Sequence, residues 1–405
     1  MKKQLLILFT VFLSSISFGQ ENTWEKKADF AGLKRMRAVG IAIGDYGYVG
    51  TGIDTAEQTH NDWWQYDPVL DSWTQVADVP GPLRRSAIAF VIDDKGYVGC
   101  GIDSAEADLG LKLFDFHEYD PVANSWTEKA PYPGGEGMGI YQAAGVAVNG
   151  KGYVACGKVG PDDYLQEFWE YTPETDSWMA RPPFPGGDRH KLSAFGVEGK
   201  AYVGMGTDHD HLRKDWWAYD PSTLSWTEVA SLPGTERTSA STFVIQSRAY
   251  VVFGTNGGVL DELWEYNPFS DSWNVKSSFG GSARRDGIAF TIGDTAYAGL
   301  GKGLSGKKQS FYRYYPAGPV SVEENELDLF KIYPNPVQES SVIQFSTLEE
   351  GNMAIYDMNG KLLYQNSFAA QTVPLAIDNL NSGTYLVSIT LKNSQQTAQQ
   401  LITLP

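Results

Sequence analysis

Six tryptophans, Trp24, Trp73, Trp126, Trp178, Trp226 and Trp273, recur at intervals of 49, 53, 52, 48 and 47 residues. A period near 50 residues excludes one continuous core. It marks an array of small units, none of which can bury its apolar face without a neighbour. Each of the last five tryptophans closes a segment of one design: a Gly-rich strand, an aromatic-x-Tyr turn segment, then Ser-Trp. Aromatic enrichment and the scarcity of long helix-period runs make these units β-sheets.

Aligned on that design, the repeats begin near Arg35, Arg84, Ile140, Arg189, Arg237 and Arg284. A first apolar strand (SAIAFVI, GIAFTI) is followed by a short turn and a second strand (GYVGTG, GYVGCG, GYVACG, AYVGMG, AYVVFG, AYAGLG). A variable loop leads to a third strand (DWWQYDP, DFHEYDP, EFWEYTP, DWWAYDP, ELWEYNP, SFYRYYP), in which Pro ends the strand. Ser-Trp opens the fourth. Four short strands in each of six units predict an all-β fold, a six-bladed β-propeller. The sixth unit ends at SFYRYYP without a Ser-Trp strand, and the chain begins with a stray one at Trp24. The N-terminal strand is therefore expected to complete the last sheet, because an unclosed ring leaves exposed edges. These repeats resemble kelch motifs over residues 22–318, with Gly-x-Gly or a single final Gly where that family usually has Gly-Gly.

The ends of the chain carry addresses. Lys2, Lys3, the apolar run Leu5–Leu13 and the small residues Ser17 and Gly19 have the three parts of a secretory signal over residues 1–19. The run is shorter than the roughly 20 residues of a membrane span, and no other segment reaches that length. The propeller is expected over residues 20–318 and an acidic linker over 319–329. Residues 330–405 have short strands, no Trp and a hairpin signal at Asn359-Gly360, which predicts a small Ig-like β-sandwich. This segment resembles the type A C-terminal sorting domain of the type IX secretion system, through Tyr333-Pro334-Asn335-Pro336, Ile355 to Lys361 and Leu380 to Tyr385. The resemblance implies passage through the periplasm, the type IX secretion machinery as a partner, and a secreted or surface-attached product.

A net charge of −17 disfavours nucleic acid and anionic membrane as partners. The two cysteines, Cys100 and Cys156, occupy the same slot of neighbouring repeats, filled elsewhere by Thr51, Met205, Phe253 and Leu300; they read as buried thiols. The candidate ligand residues are Arg35, Arg84, Arg189, Arg237 and Arg284 in the loops leading into the first strands, with Asp54 and Asp103 in the loops after the second strands. Arg37, Arg85 and Arg285 stand beside them. Such a ring of arginine and carboxylate would grip an anionic sugar or a peptide bidentately. The same periodicity equally describes arginines that tie each repeat to its own carbonyls and acids. Asp208-His209-Asp210-His211 is the densest set of possible metal ligands, yet it lies in one surface loop, and no metal or cofactor is expected. The five histidines match no nucleophile arrangement. The expected role is to bind an extracellular protein or glycan, with an epimerase-like enzyme on an anionic sugar, or a structural surface protein, as alternatives.

Overall fold

The computed structural model describes residues 22–105, 110–316, 330–333, 341–357, 361–375, 377, 380–381, 383–392 and 397–404. The signal segment, the linker at 319–329 and the Asn359-Gly360 turn lie outside the described residues. The chain divides into two compact units between Gly318 and Pro319.

The first unit holds six four-stranded antiparallel sheets. In the first, the strands are Val39–Ile43, Tyr46–Gly50, Trp63–Asp67 and Ser72–Val76, in that spatial order. The innermost strands of the other five are Ile88–Ile92, Ala144–Val148, Ser193–Val197, Ser241–Ile245 and Ile288–Ile292. Each packs beside the next, and the sixth returns to the first. This is the arrangement of a β-propeller. The inner strands alternate: in the first, Val39, Ile41 and Ile43 are buried, whereas Gly40 and Ala42 are partly exposed towards the central channel. Second strands are buried on both faces, and fourth strands are largely exposed.

Neighbouring sheets meet face to face. Ile41, Tyr48 and Trp63 of the first share one apolar cluster with Val98 and Tyr119 of the second. The end of the second strand leaves little room: a Cβ on Gly99 would lie 2.5 Å from the Asp115 carbonyl oxygen, so only glycine fits there. The ladder tryptophans add a polar tie at the outer edge. Each indole N–H donates to a carbonyl of the sheet before it: Trp126 to Ala77 (2.7 Å), Trp178 to Ala130 (2.9 Å) and Trp273 to Ala230 (2.7 Å).

Trp24 makes the equivalent bond to Ser277, at 3.3 Å. Its strand, Thr23–Lys27, is the outer strand of the sixth sheet, paired in register from Thr23 opposite Tyr315 to Lys27 opposite Phe311. The ring thus closes on a strand from the far end of the chain.

In the second unit, the described strands form one five-stranded antiparallel sheet built on Val342–Asp357. A register shift between Gln344 and Glu349 divides that strand into two halves. Both halves feed one core containing Ile343, Phe345, Met353 and Ile355, closed by Val387 and Ile389.

Candidate ligand site at the channel mouth

The repeating arginines are buried inside their sheets. Arg35 gives Nη1 to the Thr51 carbonyl (2.9 Å) and both guanidinium nitrogens to Asp62 (2.5 and 2.8 Å). Arg84 does the same with Cys100 (3.2 Å) and Asp115 (2.7 and 2.5 Å), and Arg189 with Met205 (3.1 Å) and Asp215 (2.7 Å). Arg237 bonds Phe253 and Glu262. Arg284 faces Ser310 in place of an acid, and burial lowers its pKa to about 10. The acceptor is always the carbonyl sixteen residues on, at the buried left-handed turn that ends the second strand. The third sheet has Ile140 in this slot, and its Glu167 bonds the Gly135 amide and the Trp169 indole instead.

The five arginines expected to meet a ligand are thus buried: none is more than 2% exposed, and their donor nitrogens, all but Arg189 Nε, are spent within the repeat. Asp54 and Asp103 are also committed to their own loops. Asp54 accepts from the amides of Ala56 and Gln58 and pairs with His60 at 3.0 Å, and Asp103 accepts from the Leu111 amide at 2.7 Å. Asp208 likewise caps its loop through the amides of Asp210 and His211 and binds Arg213, while His209 turns away to Asp188. Cys100 and Cys156 are free and fully buried, which pushes both thiols up.

The two positions after each arginine slot behave differently. The first carries Met36, Arg85, Tyr141, His190, Thr238 and Arg285, and the second carries Arg37, Ser86, Gln142, Lys191, Ser239 and Asp286. All six of the second set have left-handed backbone, with φ between 54° and 57°. Their peptides close a circle. Ser86 donates to Arg37 (2.9 Å), Gln142 to Ser86 (3.2 Å), Lys191 to Gln142 (2.9 Å), Ser239 to Lys191 (3.2 Å), Asp286 to Ser239 (3.0 Å) and Arg37 to Asp286 (2.9 Å). This collar sits at one end of the channel, a cavity of about 490 Å³ lined by small residues such as Ala38, Ala87, Ala143 and Gly287. At the opposite end, the exposed hairpin turns carry Asp45, Asp93, Asp94, Glu198 and Asp294.

Side chains from four sheets converge over the collar. Arg285 donates to Asp286 at 2.5 Å, and Arg37 reaches the other oxygen of the same carboxylate at 3.5 Å. Arg85 is held by the carbonyls of Ser104 (2.7 Å) and Ala105 (2.8 Å), and burial together with the charge of Arg37 brings its pKa down to about 10. Burial also lowers Lys191; Asp286 opposes the shift, and Arg37, Arg285 and Lys158 add to it. His190 bonds the Gln142 side-chain oxygen through Nδ1 (2.7 Å) and is held neutral, down to about 3, by burial and then by Lys191, Lys158 and Arg37. Arg37 Nε, Arg85 Nη1, Ser86 Oγ and Ser239 Oγ are buried without a hydrogen-bond partner. Beside them, the Tyr164 ring stacks on His209 at 4.2 Å, and His209 meets Asp188 at 3.3 Å.

The mouth is thus a focus of positive charge on an acidic protein, with Arg85 Nη1 and the Ser86 and Ser239 hydroxyls buried without a hydrogen-bond partner. Such a constellation can hold an anion by charge-assisted hydrogen bonds. Sequence reasoning placed Arg37, Arg85 and Arg285 near it but did not single out Lys191, His190 or Asp286. The available signal was non-repeating residues at repeating positions.

Residues 331–403 match the family of secretion system C-terminal sorting domains. The C-terminal unit carries a secretion sorting domain. It supports export of the chain by type IX secretion, towards the cell surface or the extracellular space. Among the described residues no helix is long and apolar enough to cross a membrane. The solved structure of YjhT is similar to 70% of this chain and 96% of its own length, with a TM-score of 0.57 and 18% identity, a likeness of fold. An endo-acting ulvan lyase of Formosa agariphila is 26% identical over 97 residues, which are 23% of this chain. The match spans about a fifth of that lyase, 19% of its length.

Proposed function

We propose that this chain is an exported six-bladed propeller of kelch type, over residues 20–318, that binds an anionic glycan at the mouth of its channel. Residues 1–19 serve as its signal peptide. The C-terminal domain, at 330–405, delivers it across the outer membrane. The observation that carries the reading is the convergence of Arg37, Arg85, Lys191 and Arg285 from four sheets on one mouth, with donors still unpaired. An anion there meets several fixed cations in a partly desolvated site, where each interaction is stronger than in water.

A glycan array followed by calorimetry tests this. Binding of acidic glycans should fall at least tenfold in the double variant Arg37→Ala, Lys191→Ala, with the folded β-sheet circular dichroism spectrum retained. Binding of neutral glycans alone, or acidic binding indifferent to the double variant, refutes the site. A second reading, an enzyme on an anionic sugar, draws support from neutral His190 and the His209–Asp188 pair at the edge of the same mouth. Proton NMR of a bound acidic sugar decides between them: new resonances mean turnover, and an unchanged spectrum leaves a binding module.

A further inference from the structure

The collar contains one acid among its basic side chains. Asp286 is bonded to Arg285, approaches Arg37 and acts on Lys191, two places round the ring. Its side chain is 7% exposed and held by Arg285, and its backbone is a link of the collar. A site built only for negative charge would have no use for a fixed carboxylate at its centre.

We propose that Asp286 is a specificity-determining residue that makes the mouth select a sugar acid, a ligand carrying hydroxyls next to its carboxylate, over a bare anion. This rests on the reading of the mouth as an anion site. A bare anion such as sulfate has acceptors only. Brought to Arg37 and Arg85, it lies against Asp286 and is repelled by a like charge. A sugar acid offers both kinds of group. Its carboxylate accepts from Arg85 Nη1, which has no hydrogen-bond partner, and from Arg37 Nε, which otherwise faces Asp286 at 3.5 Å. A neighbouring hydroxyl donates to Asp286, turning the obstacle into a charge-assisted acceptor. Ser239 and Ser86 complete the match. Ser239 adjoins Asp286 in the collar, Ser86 adjoins Arg37, and both hydroxyls are buried without a partner. Discrimination of this kind comes from an unfavourable contact built against the wrong ligand as much as from favourable contacts to the right one.

The test titrates the full chain with glucuronate and with sulfate at one ionic strength, by calorimetry, for the wild type and for Asp286→Asn. Asparagine tolerates the left-handed backbone and leaves the collar's peptide bonds in place. The wild type should prefer glucuronate at least tenfold. In Asp286→Asn that preference should shrink below threefold, mainly through a gain in sulfate affinity. Asp286→Ser, which puts at this position the residue type already present at 86 and 239, serves as the second variant and should give the same collapse. A preference that persists unchanged in both variants overturns this inference and leaves the anion site standing. Failure of the wild type to bind either probe overturns the site reading and the inference together.

Discussion

The buried arginines divide into two kinds, and substitution by methionine should separate them. Arg84→Met removes a bidentate partner from Asp115, whose side chain is only 23% exposed. Breaking a buried pair from one side costs about 3–5 kcal/mol, because the remaining charge is left uncompensated. Asp115 keeps His117 at 3.0 Å, which places the cost near the lower end, about 3 kcal/mol. For a domain of this size that corresponds to a fall of about 6–12 °C in melting temperature. Arg284 has no acid opposite it; its partners are the carbonyls of Ser282 (2.9 Å), Leu300 (3.0 Å) and Ser310 (3.4 Å) and the Ser310 hydroxyl at 3.1 Å. Methionine there removes a buried charge as well as its hydrogen bonds, and the two effects nearly cancel, for a loss of about 1 kcal/mol. Differential scanning calorimetry of the two variants beside the wild type measures the contrast. Equal losses would refute the view that the carboxylate opposite the arginine sets the cost. A stable Arg84→Met protein with lost glycan binding would restore that arginine to the ligand site.

Trp24→Ala should lower stability by about 2–3 kcal/mol in urea titration, as for a half-buried rung of the ladder and unlike a loose terminus, since its ring meets Phe279 and Tyr314 at 4.9 Å. Leu224→Asn should raise stability by about 1 kcal/mol, seen as a higher urea midpoint at constant slope. Leu224 holds φ of 54° beneath a Tyr219 hydroxyl that has no partner, where Tyr66, Tyr119, Tyr171 and Tyr266 each donate to Asp or Asn. Asp115 is pushed up by burial, but hydrogen bonds from His117 and Arg84 outweigh this and hold it at about 2. Its folded pKa lies below the unfolded value of about 3.9, so its contribution is complete above about pH 5 and is lost as pH falls towards 2. The stability gap between wild type and Asp115→Asn should accordingly be constant near neutrality and close over that acid window.

The architecture was legible because its determinants repeat. Trp, Tyr, Gly and Pro at fixed offsets report strand ends and contacts between sheets, and the stray Trp24 needed a home that only the sixth sheet offered. The site was less legible for the same reason. Arg35, Arg84, Arg189, Arg237 and Arg284 form the most visible charged pattern, yet a pattern shared by five sheets reflects what every sheet needs, here a bridge from the incoming loop to the carbonyl that ends the second strand. Arg37, Lys191 and Asp286 occupy one equivalent position with different chemistry. Nothing in their local sequence says that they share a mouth, because ring closure brings them together from 249 residues of chain, 37 to 286. Asp54 and Asp103 have a local role that spacing alone does not reveal: each carboxylate accepts from amides two to eight residues away in its own loop.

The circle of six peptide bonds has an evolutionary corollary. Its links are drawn wholly from the main chain, so the frame takes no account of which side chain each sheet presents. Ligand preference can then be rewritten one sheet at a time without renegotiating the aperture. The left-handed backbone at each link sets the one restriction, since it disfavours β-branched residues. Arg, Ser, Gln, Lys, Ser and Asp, the present occupants, all respect it. Descendants of this scaffold can therefore differ sharply in what they hold while sharing one opening to hold it in.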